Sequence, residues 1–168
     1  MRLAALLEAL RGRATERRYP FREEPAPAYR GPPVIDASRC IGCGACVNAC
    51  PAGALRLYYS ESDRVYVIEH DIGRCIFCWY CVDACPRSAM EGSREYELAT
   101  KNRKQLVLRV EHEPVECGVC GSPYATREAV VHVIASGAKV ASSIVFTCPS
   151  CRARRVAELI ARRCKRGA

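Results

Sequence analysis

Histidine is scarce: His70, His112 and His132 are the three in 168 residues. None has a partner at metal-ligand spacing, so each reads as an ordinary surface or core residue. Long apolar runs are missing as well. The most apolar window, residues 129–146, carries His132, Lys139 and three Ser, which excludes a membrane-spanning helix needing about 18 or more clean apolar residues. No secretory address is legible in residues 1–13, where a short apolar stretch is broken by Glu8 and no small-residue cleavage pattern follows. Amides are nearly absent too. One Gln and two Asn stand beside 22 Arg and 4 Lys, a balance common to thermophiles and GC-rich genomes. The C-terminal tail is basic but has no aromatics interleaved with its Arg, which argues against base stacking and a nucleic-acid partner.

What the chain has in excess is cysteine, 13 residues. Such a density suits small secreted scaffolds, but without a secretory address it points to metal ligation rather than disulfides. Metal thiolates also change the charge. The formal sum is +8, and two cubane clusters plus one tetrathiolate zinc, each about −2, would bring it to about +2. By segment the sum is +3 for residues 1–35, −3 for 36–99 and +8 for 100–168. The basic excess is terminal and flanks a middle that becomes strongly anionic once loaded.

An internal repeat organises that middle. Arg39-Cys40-Ile41-Gly42-Cys43-Gly44-Ala45-Cys46-Val47-Asn48-Ala49-Cys50-Pro51 recurs 35 residues later as Arg74-Cys75-Ile76-Phe77-Cys78-Trp79-Tyr80-Cys81-Val82-Asp83-Ala84-Cys85-Pro86. The spacing C-x2-C-x2-C-x3-C-P is the bacterial iron–sulfur signature, in which the fourth Cys completes the other cluster. By that rule one 4Fe–4S cluster takes Cys40, Cys43, Cys46 and Cys85, and the other takes Cys75, Cys78, Cys81 and Cys50. Small residues at Gly42, Gly44, Ala45, Ala49 and Ala84 let backbone N–H groups approach sulfur. Pro51 and Pro86 fix the chain as it leaves each motif. Cubanes ligated only by Cys leave no coordination position for a substrate, so the expected task is conduction of single electrons, without a catalytic residue. Arg39 and Arg74, each preceding a first Cys, either tune the clusters or are solvated charges.

A second metal motif pairs Cys117-x2-Cys120 with Cys148-x2-Cys151. Two such knuckles supply four thiolates for a closed tetrahedral site, expected to be structural zinc, with a rubredoxin-like iron or empty knuckles as alternatives. The gap of 27 residues is long for this motif and implies an inserted helix. Cys164 is left over and reads as a semi-buried free thiol on a helix face.

Around these motifs, Leu3, Leu6, Leu7 and Leu10 mark an amphipathic helix that packs on the core, on a partner or on the membrane surface. Residues 20–33, with five Pro, read as an extended arm. Leu55–Tyr59 and Val65–Ile68 predict a hairpin around Ser60–Asp63, and Leu106–Val110 a short strand. Thr126–Ala135 predicts a helix, Ser143–Thr147 a β-prone stretch, and Arg152–Arg166 a helix with Val156, Leu159 and Ile160 on one side. The expected class is α+β: a two-cluster ferredoxin core of pseudo-twofold βαβ repeats (34–99), preceded by a helix and docking arm (1–33) and followed by a zinc-ribbon-like module with a basic helix (100–168).

Tyr29-Arg30-Gly31-Pro32-Pro33, Cys75-Ile76-Phe77-Cys78 and Tyr96-Glu97-Leu98-Ala99 resemble the two-cluster ferredoxin subunit shared by respiratory complex I and the energy-converting membrane [NiFe] hydrogenases. The first motif, Cys40 through Pro51, and the C-terminal knuckles resemble more the formate hydrogenlyase branch. The similarity runs from the N-terminal helix to about Cys151. It implies a peripheral subunit on the cytoplasmic side of the cell membrane, passing electrons from an electron-input subunit to a hydrogenase-like small and large subunit pair. It also implies that residues 1–18 lie against the membrane or a membrane subunit. Trp79 departs from the pattern, standing where the family usually has Gly; its ring is expected to shield the second cluster or to pack on a partner. A free, diffusing dicluster ferredoxin is the alternative, but it leaves the N-terminal helix, the arm and the knuckles without a purpose. A redox-sensing, nucleic-acid-binding zinc-ribbon protein is a third.

Overall fold

The computed structural model describes residues 28–137 and 141–166. The Leu3–Leu10 stripe and most of the Pro-rich arm lie outside them. Strand β1 (Pro33–Ile35) leads through the first cysteine loop into a single helical turn, α1 (Ala45–Ala49). The expected hairpin follows as β2 (Leu55–Ser60) and β3 (Val65–Asp71), paired from Leu55↔His70 to Ser60↔Val65. Its turn is closed by Ser60 Oγ, which donates to Asp63 Oδ2 at 2.6 Å. The second cysteine loop then enters α2 (Tyr80–Asp83) and β4 (Met90–Gly92), and β4 returns to pair antiparallel with β1. The order strand, helix, strand is thus traversed twice, and the outer strands of the two passes pair with each other.

Strand β5 (Val107–His112) occupies the predicted position, displaced by one or two residues. It joins the hairpin rather than standing apart, giving a three-stranded sheet in the order β2-β3-β5. A second hairpin, β6 (Pro114–Glu116) and β7 (Pro123–Thr126), runs directly into α3 (Arg127–Ala135). The Thr126 side chain caps α3 by accepting from Ala129 N–H at 3.3 Å. A short turn, α4 (Ser142–Val145), and the long α5 (Pro149–Arg166) complete the described chain. Pro149 opens α5 at the position where its missing N–H costs nothing.

One expectation is overturned here. Ser143–Thr147 is not extended: α4 covers most of it, and Thr147 Oγ1 donates back to the Ser143 carbonyl at 2.6 Å. Tyr124 Oη holds the Val145 carbonyl and Gly118 N–H holds that of Phe146, so long-range contacts override the β preference of Ile144, Val145 and Phe146. The stripe Val156, Leu159 and Ile160 lies on α5 as expected and is exposed. No described helix is long and apolar enough to cross a membrane.

The core of the repeat is small and built around sulfur. Leu55, Ile68 and Met90 pack with the buried Cys46 and Cys81 and with the partly buried Cys40, Cys50 and Cys85. On one face of the sheet, Glu69 is buried between Arg56 (2.7 Å) and Arg109 (2.8 Å), a cross-strand carboxylate clamped from both neighbours. Burial opposes its ionisation, but the two guanidinium groups outweigh it and hold the carboxyl below its ordinary value. His70, next in sequence, points the other way and is fully buried. Neither of its ring nitrogens has a hydrogen-bond partner. Burial therefore lowers its pKa, and the Pro33 carbonyl, near but outside hydrogen-bond geometry, offsets only part of this.

A neutral buried His makes folding pH-dependent with a definite sign. Its folded pKa lies below the unfolded value of 6.5, so the unfolded state takes up the proton first as pH falls. Stability is then full above that pH and declines below it. The midpoint of unfolding, followed from pH 7.5 to 5, should fall in the natural chain and fall less steeply in His70→Leu. Parallel slopes would place the acid sensitivity elsewhere.

Candidate metal centres

Each cysteine loop ends in one helical turn that buries its third thiol, with Cys46 7% and Cys81 6% exposed. The fourth, Cys50 or Cys85, follows the end of that turn. The backbone repeats with the sequence. Left-handed φ angles recur 35 residues apart at positions 42 and 77 (67° and 56°), 44 and 79 (74° and 66°), and 53 and 88 (58° and 49°). In the first copy all three are Gly; in the second they are Phe77, Trp79 and Ser88. An L-residue there is opposed by about 1–2 kcal/mol, so something other than residue preference holds the second loop. Backbone donors to sulfur recur too. Ala54 N–H donates to Cys50 Sγ at 3.3 Å and Ala89 N–H to Cys85 Sγ at 3.2 Å.

The thiols gather across the repeat. Cys40, Cys43, Cys46 and Cys85 line one small cavity of about 20 Å3, together with Ile35 and Ile68. Cys50 lies instead beside Cys75 and Cys81, close enough for its charge to raise both thiols. Burial is the larger cause in each set: it pushes Cys46 up to about 12 and Cys81 up to about 11. At Cys85 burial also raises the thiol, but the N–H groups of Arg87, Met90, Ala89 and Ser88 outweigh it and bring it below its ordinary value. Buried thiols with apolar walls and convergent N–H donors fit a cationic metal–sulfide core, which supplies the charge that lets the protons leave.

The knuckles form a tighter set. The four sulfurs of Cys117, Cys120, Cys148 and Cys151 lie within 4.8 Å of one another. Cys120 Sγ and Cys148 Sγ are 3.7 Å apart, against an edge of about 3.8 Å for a tetrahedron with metal–sulfur bonds of about 2.3 Å. Cys148 N–H donates to Cys117 Sγ at 3.2 Å. That bond is the main reason the Cys117 thiol falls to about 6. Cys151 goes the other way, up to about 12, chiefly through the adjoining Cys148 side chain and then burial. Four thiols this close do not all ionise side by side without a cation to share their charge.

Several contacts here have no signature in the sequence. Thr126 Oγ1, already capping α3, donates to the Ile41 carbonyl of the first loop at 2.6 Å. His112, 4% exposed, lays its ring edge against Gly42, and its Nδ1 lies 3.3 Å from Glu128 Oε2. A Cβ at Gly42 would come within 2.5 Å of the Thr126 methyl, so this glycine serves the approach of β7 as well as its own φ. Arg39 is committed to carboxylates: its Nε bonds Asp36 at 2.6 Å and its guanidinium pairs with Glu91. Trp79 packs on this chain's own arm. Cys164 is exposed, not semi-buried as expected, because α5 runs out beyond the knuckles with nothing described against that turn.

Two glycines separate backbone cost from packing cost. Gly53→Ala meets nothing within 4 Å and carries only the left-handed term, about 1–2 kcal/mol. Gly42→Ala carries that term plus a clash with Thr126. Thermal unfolding of the anaerobic holoprotein should show the larger loss for Gly42→Ala, with faster proteolysis of residues beyond 113. Equal losses in the two variants would mean that Thr126 yields without cost.

The chain is similar to known proteins in sequence. The 4Fe-4S dicluster domain family matches residues 39–90. Formate hydrogenlyase subunit 6 of Escherichia coli (strain K12) is 38% identical over 131 residues, covering 74% of this chain and 73% of its own length. A chain of the membrane-bound sulfane sulfur reductase, an archaeal respiratory membrane complex, is 35% identical with a TM-score of 0.42; the match covers 61% of this chain and 56% of that one. With its dicluster domain and this level of identity, the chain belongs to the formate hydrogenlyase subunit 6 family.

Proposed function

We propose that Cys40, Cys43, Cys46 and Cys85 hold one 4Fe–4S cluster, that Cys75, Cys78, Cys81 and Cys50 hold the other, and that the chain is a non-catalytic electron conduit. The family and the dicluster domain support an iron–sulfur electron-transfer subunit of a formate hydrogenlyase-type complex. The single observation that carries the ligand assignment is the exchange of fourth cysteines: Cys85 lines the cavity of the first loop, and Cys50 lies among the thiols of the second. When bound, the two clusters supply one-electron carriers. The residues around them supply apolar walls, N–H donors to sulfur and a fixed separation.

The doubled strand–helix–strand order and the recurring φ angles favour a pseudo-twofold ferredoxin unit over residues 34–99. The remainder of the organisation belongs to the same proposal: a helix and docking arm over 1–33, and a zinc-ribbon-like module over 100–168 with structural zinc on Cys117, Cys120, Cys148 and Cys151. The conduit would run from an electron-input subunit to a hydrogenase-like small and large subunit pair, on the cytoplasmic side of the membrane. Residues 1–18 would lie against the membrane or a membrane subunit.

The exchange of ligands has a direct test. Cys50→Ala should degrade the cluster held mainly by the second loop, read by electron paramagnetic resonance and iron content in the anaerobic protein. Selective damage to the other cluster would remove the crossover. The role is tested by what co-purifies from gently solubilised native membranes: a hydrogenase-like pair is expected, whereas a lone soluble protein would make this a free carrier. Zinc chelation should expose residues 117–151 to protease before it disturbs either cluster; simultaneous loss would tie the knuckles to the cluster core.

A further inference from the structure

Trp79 stands at a left-handed backbone position (φ 66°), between Cys78 and the helical turn that carries Cys81. The equivalent residue of the first loop, Gly44, meets no such burden. The surroundings of Trp79 fit its ring closely. Its Nε1–H donates to the Gly31 carbonyl at 2.9 Å. The Arg30 guanidinium lies over the ring, 5.2 Å from its centroid. On another side the ring rests on Gly92, where any Cβ would fall 2.4 Å from Cζ2. The arm is closed down around this ring: Gly31 N–H donates to the Ser93 carbonyl at 3.0 Å, and Ser93 Oγ to the Pro32 carbonyl at 2.6 Å. A Cβ at Gly31 would lie 2.8 Å from the Ser93 carbonyl, so residues 30–31 can be seated in this way only with Gly there.

We propose that Trp79 is a positioning residue that makes the N-terminal arm part of the second cluster's environment, fixing the Arg30 charge and the Gly31 backbone beside the second cysteine loop. The physical content is electrostatic. One-electron reduction of a cubane adds one negative charge, and a cation fixed beside the loop favours that form; Arg30 is itself exposed, so solvent screens part of its effect. Among the described residues no ring grips an arm at the first loop, where Gly44 stands; the cation there is Arg87, which lines the cavity without such a clamp. The two otherwise matching loops are thereby given unequal surroundings, and the inequality depends on whether the arm is seated. A change at residues 28–32, well before either motif, is felt at one cluster and not at the other.

This rests on the cluster assignment proposed above, and the two fail differently. The measurement is a potentiometric titration of the purified anaerobic holoprotein followed by electron paramagnetic resonance, in the natural chain and in Trp79→Gly, Arg30→Gln and Arg30→Lys. The second cluster is identified independently as the one whose signal changes in Cys78→Ser. Trp79→Gly suits the left-handed backbone, so the loop is not put at risk by the replacement. Trp79→Gly and Arg30→Gln should each shift the second cluster to lower potential and leave the first in place, with Arg30→Lys restoring most of the shift. Trp79→Gly should also speed proteolysis at Arg30, whereas Arg30→Lys should not speed cleavage of the arm. Unchanged potentials in a protein with two intact cubanes, or equal shifts of both clusters, would overturn the inference while sparing the assignment. Absence of two cubanes would overturn both.

Discussion

The exchange of fourth cysteines, Cys50 toward the second loop and Cys85 toward the first, is the constraint on which the rest of the repeat depends. A loop that has placed three thiols around one point is carried away from it by the helical turn that follows, and its next thiol arrives across the molecule. Two such loops therefore serve each other or neither. The pairing of β1 with β4, and of β2 with β3, joins the two passes at both ends and holds this reciprocity in register. The apolar core of the unit is slight, with Leu55, Ile68 and Met90 at its centre among Cys46 and Cys81, and Ile35, Val47, Leu57 and Val82 packed around them with further thiols. Such a core is completed by metal rather than by hydrocarbon, in keeping with small domains that cannot bury enough surface on their own.

Onto this repeated unit the chain adds unequal cover. The first loop lies under the second hairpin and α3, through the Thr126 hydroxyl on Ile41 and the His112 ring on Gly42. The second loop lies under the arm, through Trp79. The same backbone is thus presented to two different neighbours, and the choice of side chain follows the neighbour. Where β7 comes close, only glycine leaves room; where the arm comes close, an indole fills the gap. Ile76 and Tyr80 of the second loop stay 63% and 59% exposed, while Ile41, which corresponds to Ile76, is partly covered.

Much of this was legible in the amino-acid order, because it is local. The cysteine spacing and its repeat point to the metal chemistry. Alternating β-branched and aromatic residues around Ser60–Asp63 predict the hairpin, and Thr126 before Glu128 and Ala129 is a helix start. What could not be read is what depends on distant partners. The bond from Trp79 spans 48 residues and the one from Thr126 spans 85. Ser143–Thr147 has strand-forming residues yet turns helical under Tyr124 and Gly118. Strand β5 looks in sequence like a separate short element, and becomes the edge of the hairpin sheet because β3 is long enough to receive it. Propensity is decided within a few residues, whereas these outcomes are decided by which surfaces meet.

The recurring left-handed angles bear on assembly. Gly42, Gly44 and Gly53 let the first loop visit its final shape while empty, since glycine enters that region about as readily as any other. Phe77, Trp79 and Ser88 deny the second loop the same freedom, at about 1–2 kcal/mol for each residue. One half of the repeated unit therefore reaches its shape without a Cβ penalty, at the entropic cost of ordering glycine, and the other meets that penalty at Phe77, Trp79 and Ser88. The repeated backbone thus reaches one conformation at two different costs, as chain entropy in the first loop and as steric strain in the second.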